Sequence, residues 1–134
     1  MLRAKSTFST RSRILVVDDE ESIREFADAA LRAAGYETAV AASGEDALRL
    51  AEEFGNFELL LTDLRMRGID GCELARRLRQ ARPDLRVLYL TGYSDALFNE
   101  KPILWHDEAF LEKPTSVRGL LESVSMLLDG PSLV

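Results

Sequence analysis

Apolar positions along the chain follow two alternating periods. From Ile14 onward, short aliphatic runs are separated by stretches in which apolar residues recur every three or four positions. Ile14-Leu15-Val16-Val17 reads as a first strand ending at Asp18-Asp19. Ile23, Phe26, Ala27, Ala30, Leu31 and Ala34 then mark one face of a helix, with Gly35 placed to cap its C-terminus. Glu37–Ala42 reads as a second strand, and Ser43-Gly44-Glu45-Asp46 resembles a capping box opening a helix to Phe54.

Phe57–Thr62 predicts a third strand, ending at the acid Asp63. A loop over Leu64–Asp70 leads into a helix carrying Leu74, Ala75 and Leu78, and Pro83 separates it from a fourth strand, Leu85–Leu90, ending at Thr91-Gly92. A fourth helix falls in Ser94–Asp107, where Pro102 breaks or kinks it. Ala109-Phe110-Leu111 is a short fifth strand before Lys113-Pro114, and Val117, Leu120, Leu121, Val124, Leu127 and Leu128 stripe a last helix. Five strands alternating with five helices imply α/β architecture: a doubly wound five-stranded parallel sheet in a (βα)5 three-layer sandwich. Ligands of such sheets bind at the carboxyl ends of the strands, near the switch in strand order.

Composition narrows the function classes. The 134 residues suffice for one domain. The single Cys72, read as a packing residue at a helix start, excludes an internal disulfide or a Cys-based zinc cluster, and the single His106 excludes most His-rich metal sites. Net charge is -6, from 17 basic and 23 acidic residues. Residues 1–13 carry Arg3, Lys5, Arg11 and Arg13 and no acid, so the remainder carries -6 - 4 = -10. An acidic body argues against direct binding of nucleic acid. Residues 1–12 lack the apolar segment of a secretory signal and read as a basic flexible tail or linker, residues 13–129 as the domain, and 130–134 as a C-terminal tail. No apolar run approaches the roughly 18 residues of a membrane span, so a cytoplasmic location is expected.

The residues just beyond four of the five strands share a chemistry, whereas strand two delivers only small residues, as expected of a strand off the switch point. Strand one delivers Asp18 and Asp19, strand three Asp63, strand four Thr91 and strand five Lys113. Three uncompensated carboxylates would repel one another and raise their pKa values. A hard divalent cation with a lysine relieves this, and Mg2+, which favours oxygen ligands and keeps waters, suits the set. Such groups support phosphoryl transfer to a carboxylate: Asp63, on the central strand, as nucleophile, Asp18 and Asp19 on the metal, Thr91 and Lys113 on the phosphoryl oxygens.

The ordered motifs VVDDE (Val16–Glu20), LLTDLRM (Leu60–Met66), LTG (Leu90–Gly92) and FLEKP (Phe110–Pro114) resemble those of response regulator receiver domains of two-component phosphorelays. The resemblance covers Arg13–Asp129 and implies a flavodoxin-like strand order 2-1-3-4-5. It implies Asp63 as phosphoacceptor; Asp19, Asp63 and the Arg65 backbone carbonyl as direct ligands of Mg2+ (with Mn2+ as a substitute); and Asp18 acting partly through water. It further implies Thr91 and Lys113 as phosphoryl-binding groups, with Thr91 and Phe110 as a switch that remodels the face formed by the fourth helix, fifth strand and last helix. Here that face includes Phe98, Leu104 and Trp105, which could equally be plain packing over Pro102.

Two departures stand out. The usual Met-Pro-Gly after the acceptor reads Met66-Arg67-Gly68, which loosens the loop but removes no ligand. Arg65 is bulky and basic and, with Tyr93, is expected to cover the phosphoryl group and tune its hydrolysis. A haloacid-dehalogenase-like phosphatase is disfavoured, because Arg65 stands where that chemistry wants a second acid; a nucleotide-binding module lacks its Gly-rich loop after strand one. His106, in a loop, is not expected to carry a phosphoryl group. The expected partners are a histidine kinase or histidine phosphotransfer protein, a downstream protein target and, on phosphorylation, a second copy of the chain. The segments YLTGYSDALFNE and HDEAFLEKPTS resemble receivers of hybrid sensor histidine kinases, with a stand-alone regulator as the alternative; either way the chain is expected to signal rather than to turn over a substrate.

Overall fold

The aliphatic runs at the centre of the pattern, Ile14–Val17 and Leu59–Leu61, are buried throughout, as the interior strands of a parallel sheet must be. The computed structural model describes residues 12–92, 107–113 and 115–130. These form strands β1 (Arg13–Val17), β2 (Glu37–Ala41), β3 (Leu59–Asp63), β4 (Arg86–Thr91) and β5 (Glu108–Glu112). The helices among them are α1 (Glu21–Ala33), α2 (Gly44–Phe54), α3 (Gly71–Ala81) and α4 (Val117–Asp129). The stretch expected to hold a further helix, with Tyr93, Phe98, Leu104, Trp105 and His106, lies outside the described residues.

All strand pairs are parallel and the order is β2-β1-β3-β4-β5, so the expected doubly wound sheet is present. Because side chains alternate along a strand, each strand feeds two cores. Leu15, Val17, Leu60, Val87 and Tyr89 pack on one face with Ala47 and Ala51 of α2 and Leu74, Ala75 and Leu78 of α3. Ile14, Val16, Leu59, Leu61, Leu88 and Leu90 pack on the other with Ala27, Ala30 and Leu31 of α1 and Leu120 and Val124 of α4. No described helix is long and apolar enough to cross a membrane.

Local chemistry sets the helix boundaries. Ser43, Asp70 and Ser116 accept backbone N–H groups of Asp46, Glu73 and Gly119 at 3.0, 2.8 and 2.9 Å, each an N-cap contributing about 1 kcal/mol. Of the capping box at Ser43 the forward half forms, whereas the Asp46 carboxylate turns to Arg49. Gly35 ends α1 with φ +99°; its N–H donates to the Arg32 carbonyl and the Tyr36 N–H to that of Leu31, the paired bonds of a Schellman cap.

All five strands differ from their expected limits by one or two residues, and two of the shifts have a clear side-chain cause. The third begins at Leu59 rather than Phe57, because Phe57 stacks on Phe54 with centroids 5.9 Å apart, and the Arg82 guanidinium lies over its ring. The fifth extends back to Glu108, whose buried carboxylate is held by Arg79 at 2.5 Å.

The loop after β3 returns on itself so tightly that the first residue of α3 touches the end of that strand. Gly71 donates its N–H to the Leu64 carbonyl at 2.9 Å, and a Cβ at Gly71 would lie 2.3 Å from the Asp63 carbonyl oxygen. Backbone on both sides leaves no room for a methyl group. Gly71→Ala is therefore expected to destabilise the fold by about 2–4 kcal/mol in urea unfolding, more than a helix-propensity gain could offset.

Candidate functional site

The carboxyl ends of β1, β3, β4 and β5 lie side by side, and each contributes a polar group. Asp18 follows β1 and is buried, while Asp19 beside it is exposed. Asp63 closes β3 and Thr91 closes β4, both buried. Lys113 follows β5, and its N–H donates to the Thr91 carbonyl at 2.7 Å, which continues the ladder one residue past the strand.

Lys113 gathers the acids. Its Nζ lies 3.1 Å from Asp18 Oδ2, 3.0 Å from Glu20 Oε1 and 3.7 Å from Asp63 Oδ1. Asp18 Oδ1 accepts the Glu20 N–H at 2.9 Å, and Arg24 Nη1 donates to the Asp18 carbonyl at 2.8 Å, so these two bonds hold the turn after β1. Asp18 Oδ2 is buried and, although close to Lys113, has no donor in hydrogen-bonding alignment among the described residues.

The electrostatics follow from burial. The Asp63 carboxyl is pushed up to about 6 by burial and the neighbouring Asp18 charge, against the pull of Lys113. Asp18 is also raised, chiefly by burial, although the Glu20 N–H and Lys113 oppose it. For Lys113 burial disfavours the charged form, but pairing with the Glu20 and Asp18 carboxylates outweighs it and the pKa rises.

Asp18, Asp19 and Asp63 each offer a carboxylate oxygen within 4.8 Å of the others, a spacing that one cation can bridge. An all-oxygen set, with a buried carboxylate oxygen lacking a hydrogen bond, fits a hard divalent cation such as Mg2+.

The remaining sequence candidates fall around this centre. Phe110 is half-buried at mid-β5, opposite Tyr89 of β4, and packs on the α2–α3 core. Arg65 lies exposed in the loop after β3. Tyr93 lies outside the described residues. Sequence reasoning gave no role to Glu20, which shares Lys113, nor to Gly71; the third acid of the Asp18-Asp19-Glu20 run was the available signal for the first.

Comparison with known proteins adds that residues 14–125 match the family model described as "Response regulator receiver domain". The chain belongs to this family. As a receiver domain it serves two-component signalling, in which the general function is phosphorelay on an aspartate. It is 38% identical to the response regulator receiver protein CpdR of Brucella abortus over 117 residues, 87% of this chain and 96% of that protein. It is 33% identical to the sensor kinase CckA of the same organism over 122 residues, 90% of this chain but 13% of that protein. A structure of the response regulator TrrA of Thermotoga maritima, described as a complex with Mg2+ and BeF, superposes with a TM-score of 0.74 at 36% identity, covering 87% of this receiver and 98% of that chain.

The raised carboxyl at Asp63 gives a signed expectation. Its folded-state pKa, about 6, exceeds the ordinary 3.8, so the protonated acid favours folding; that contribution is complete below the ordinary value and is lost as pH rises through about 6. Metal-free Asp63→Asn should therefore be more stable than the parent by about 1–3 kcal/mol near pH 7.5 and by clearly less near pH 5. Urea unfolding in chelator checks this, and Mg2+ should stabilise the parent more than the variant.

Proposed function

We propose that Asp63 is the phosphoacceptor of this receiver, and that Asp18, Asp19, Asp63 and the Arg65 backbone carbonyl hold Mg2+. The convergence of Asp18, Asp63 and Lys113 within 4 Å contacts at one sheet edge carries this reading. An Asp63 carboxylate oxygen attacks the phosphorus of a phosphohistidine on a kinase or phosphotransfer protein. A P–O bond forms, the P–N bond breaks, and the imidazole leaves with the former bonding electrons. Bound Mg2+ would supply positive charge to the phosphoryl oxygens; Mn2+ would substitute. The Lys113 ammonium and the Thr91 hydroxyl donate to the same oxygens and stabilise the charge that builds there.

The product adds roughly 1.5–2 negative charges beside Asp63. Thr91, drawn toward them, vacates space into which the Phe110 ring turns, and the change on β5 and α4 is read by a downstream protein target or a second copy of the chain. Arg65 and Tyr93 shield the acyl phosphate from water, and slow self-dephosphorylation resets the domain. The likeness to CckA supports a hybrid-kinase setting, and the near-complete coverage of CpdR supports a stand-alone one.

Incubation with Mg2+ and acetyl phosphate is expected to add one phosphoryl group by intact mass. Asp63→Asn should show none, and Lys113→Ala should label at least about tenfold more slowly, the loss of one charge-assisted hydrogen bond. An unchanged gain in Asp63→Asn would defeat the assignment. Arg65→Ala and Tyr93→Ala should alter the phosphorylated lifetime measured after donor removal.

A further inference from the structure

Glu20 occupies the N-cap position of α1, yet its side chain makes no capping hydrogen bond. Its backbone is fixed on both sides: the N–H donates to Asp18 Oδ1 at 2.9 Å and the carbonyl accepts the Arg24 N–H at 3.1 Å. So held, with φ -97° and ψ 120°, the residue sends its carboxylate across the mouth of the site to Lys113 Nζ at 3.0 Å. The same ammonium is 3.7 Å from Asp63 Oδ1, beyond hydrogen-bonding range. Lys113 is thus shared between Asp18 and Glu20, and Asp63 is left third in line.

We propose that Glu20 is a positioning residue that engages Lys113 in the unphosphorylated domain and must yield it to the phosphoryl group. This rests on Asp63 being the phosphoacceptor. An ammonium has three donors; one is committed to Glu20, and Asp18 holds the same charge as an ion pair at 3.1 Å. A phosphoryl group on Asp63 requires the ammonium to swing toward it and away from Glu20, whose side chain is 61% exposed while that of Asp18 is 2% exposed. The exposed partner is the one that can regain water on release, so Glu20 lets go and Asp18 does not. Because exposed ion pairs are weak, the latch lowers phosphoryl affinity by about three- to fivefold rather than by orders of magnitude.

Beryllofluoride, a phosphoryl mimic, tests this by calorimetric titration of the whole chain at saturating Mg2+. Glu20→Gln removes the charge; Glu20→Asp keeps it but shortens the reach to Lys113. Both variants are expected to bind beryllofluoride about three- to fivefold more tightly than the parent. A damaged site would bind more weakly, so the sign separates a latch from a structural role. Affinity at or below the parent value in either variant overturns the proposal, and Glu20→Asp matching the parent would assign any gain in Glu20→Gln to its field alone. Failure of the parent to bind beryllofluoride, or to take up phosphoryl from acetyl phosphate, would instead defeat the Asp63 reading itself.

Discussion

A single ammonium, that of Lys113, stands between two buried carboxylates at the end of the sheet. Asp18 and Asp63 are drawn from water by the packing of β1 and β3, and burial raises both pKa values. Their attraction to Lys113 lowers the cost of keeping both charged without removing it, since removal of one partner of a buried ion pair exposes the full desolvation penalty. Asp18, Asp19, Asp63 and Glu20 against Lys113 leave 4 - 1 = 3 surplus negative charges, an excess that a divalent cation would reduce.

Topology makes this concentration of charge available. The order β2-β1-β3-β4-β5 sets the ends of β1 and β3 side by side, at the edge where such sheets bind their ligands. Two close-packed cores, one on each face, hold the strands that carry the acids. The contact of Gly71 with the Asp63 backbone then fixes the first turn beyond β3.

Much of this was legible in the chain. Period-two burial of Leu15 and Val17 against Ile14 and Val16 follows from a parallel sheet covered on both faces, and the polar residues after four of the five strands identified the edge. Less legible were features that depend on distant partners. Phe57 looks like strand by propensity and is claimed by a stack with Phe54 and Arg82. Glu108 looks like a solvated acid and is buried because Arg79, from α3, reaches it. Glu20 reads as one more surface acid until β5 brings Lys113 to it. In each case one deciding partner, Arg82, Arg79 or Lys113, lies far away in sequence and is brought in by the fold, which no local period encodes.

The Arg79 cluster has a further bearing on β5. This strand lies at the edge of the sheet and pairs with β4, so the backbone ladder alone would tolerate sliding. Arg79 grips the Glu108 carboxylate and Asp107 while donating twice to the Leu85 carbonyl, and the Tyr89 hydroxyl donates to Glu108 at 3.4 Å. A slip by one residue would turn Glu108 toward the opposite apolar face, reverse the side on which Phe110 sits, and move Lys113 about 3.3 Å along the edge, out of reach of Asp18. The cluster therefore acts as a registration pin, and the chemistry at one end of the strand is indexed by an ion pair at the other.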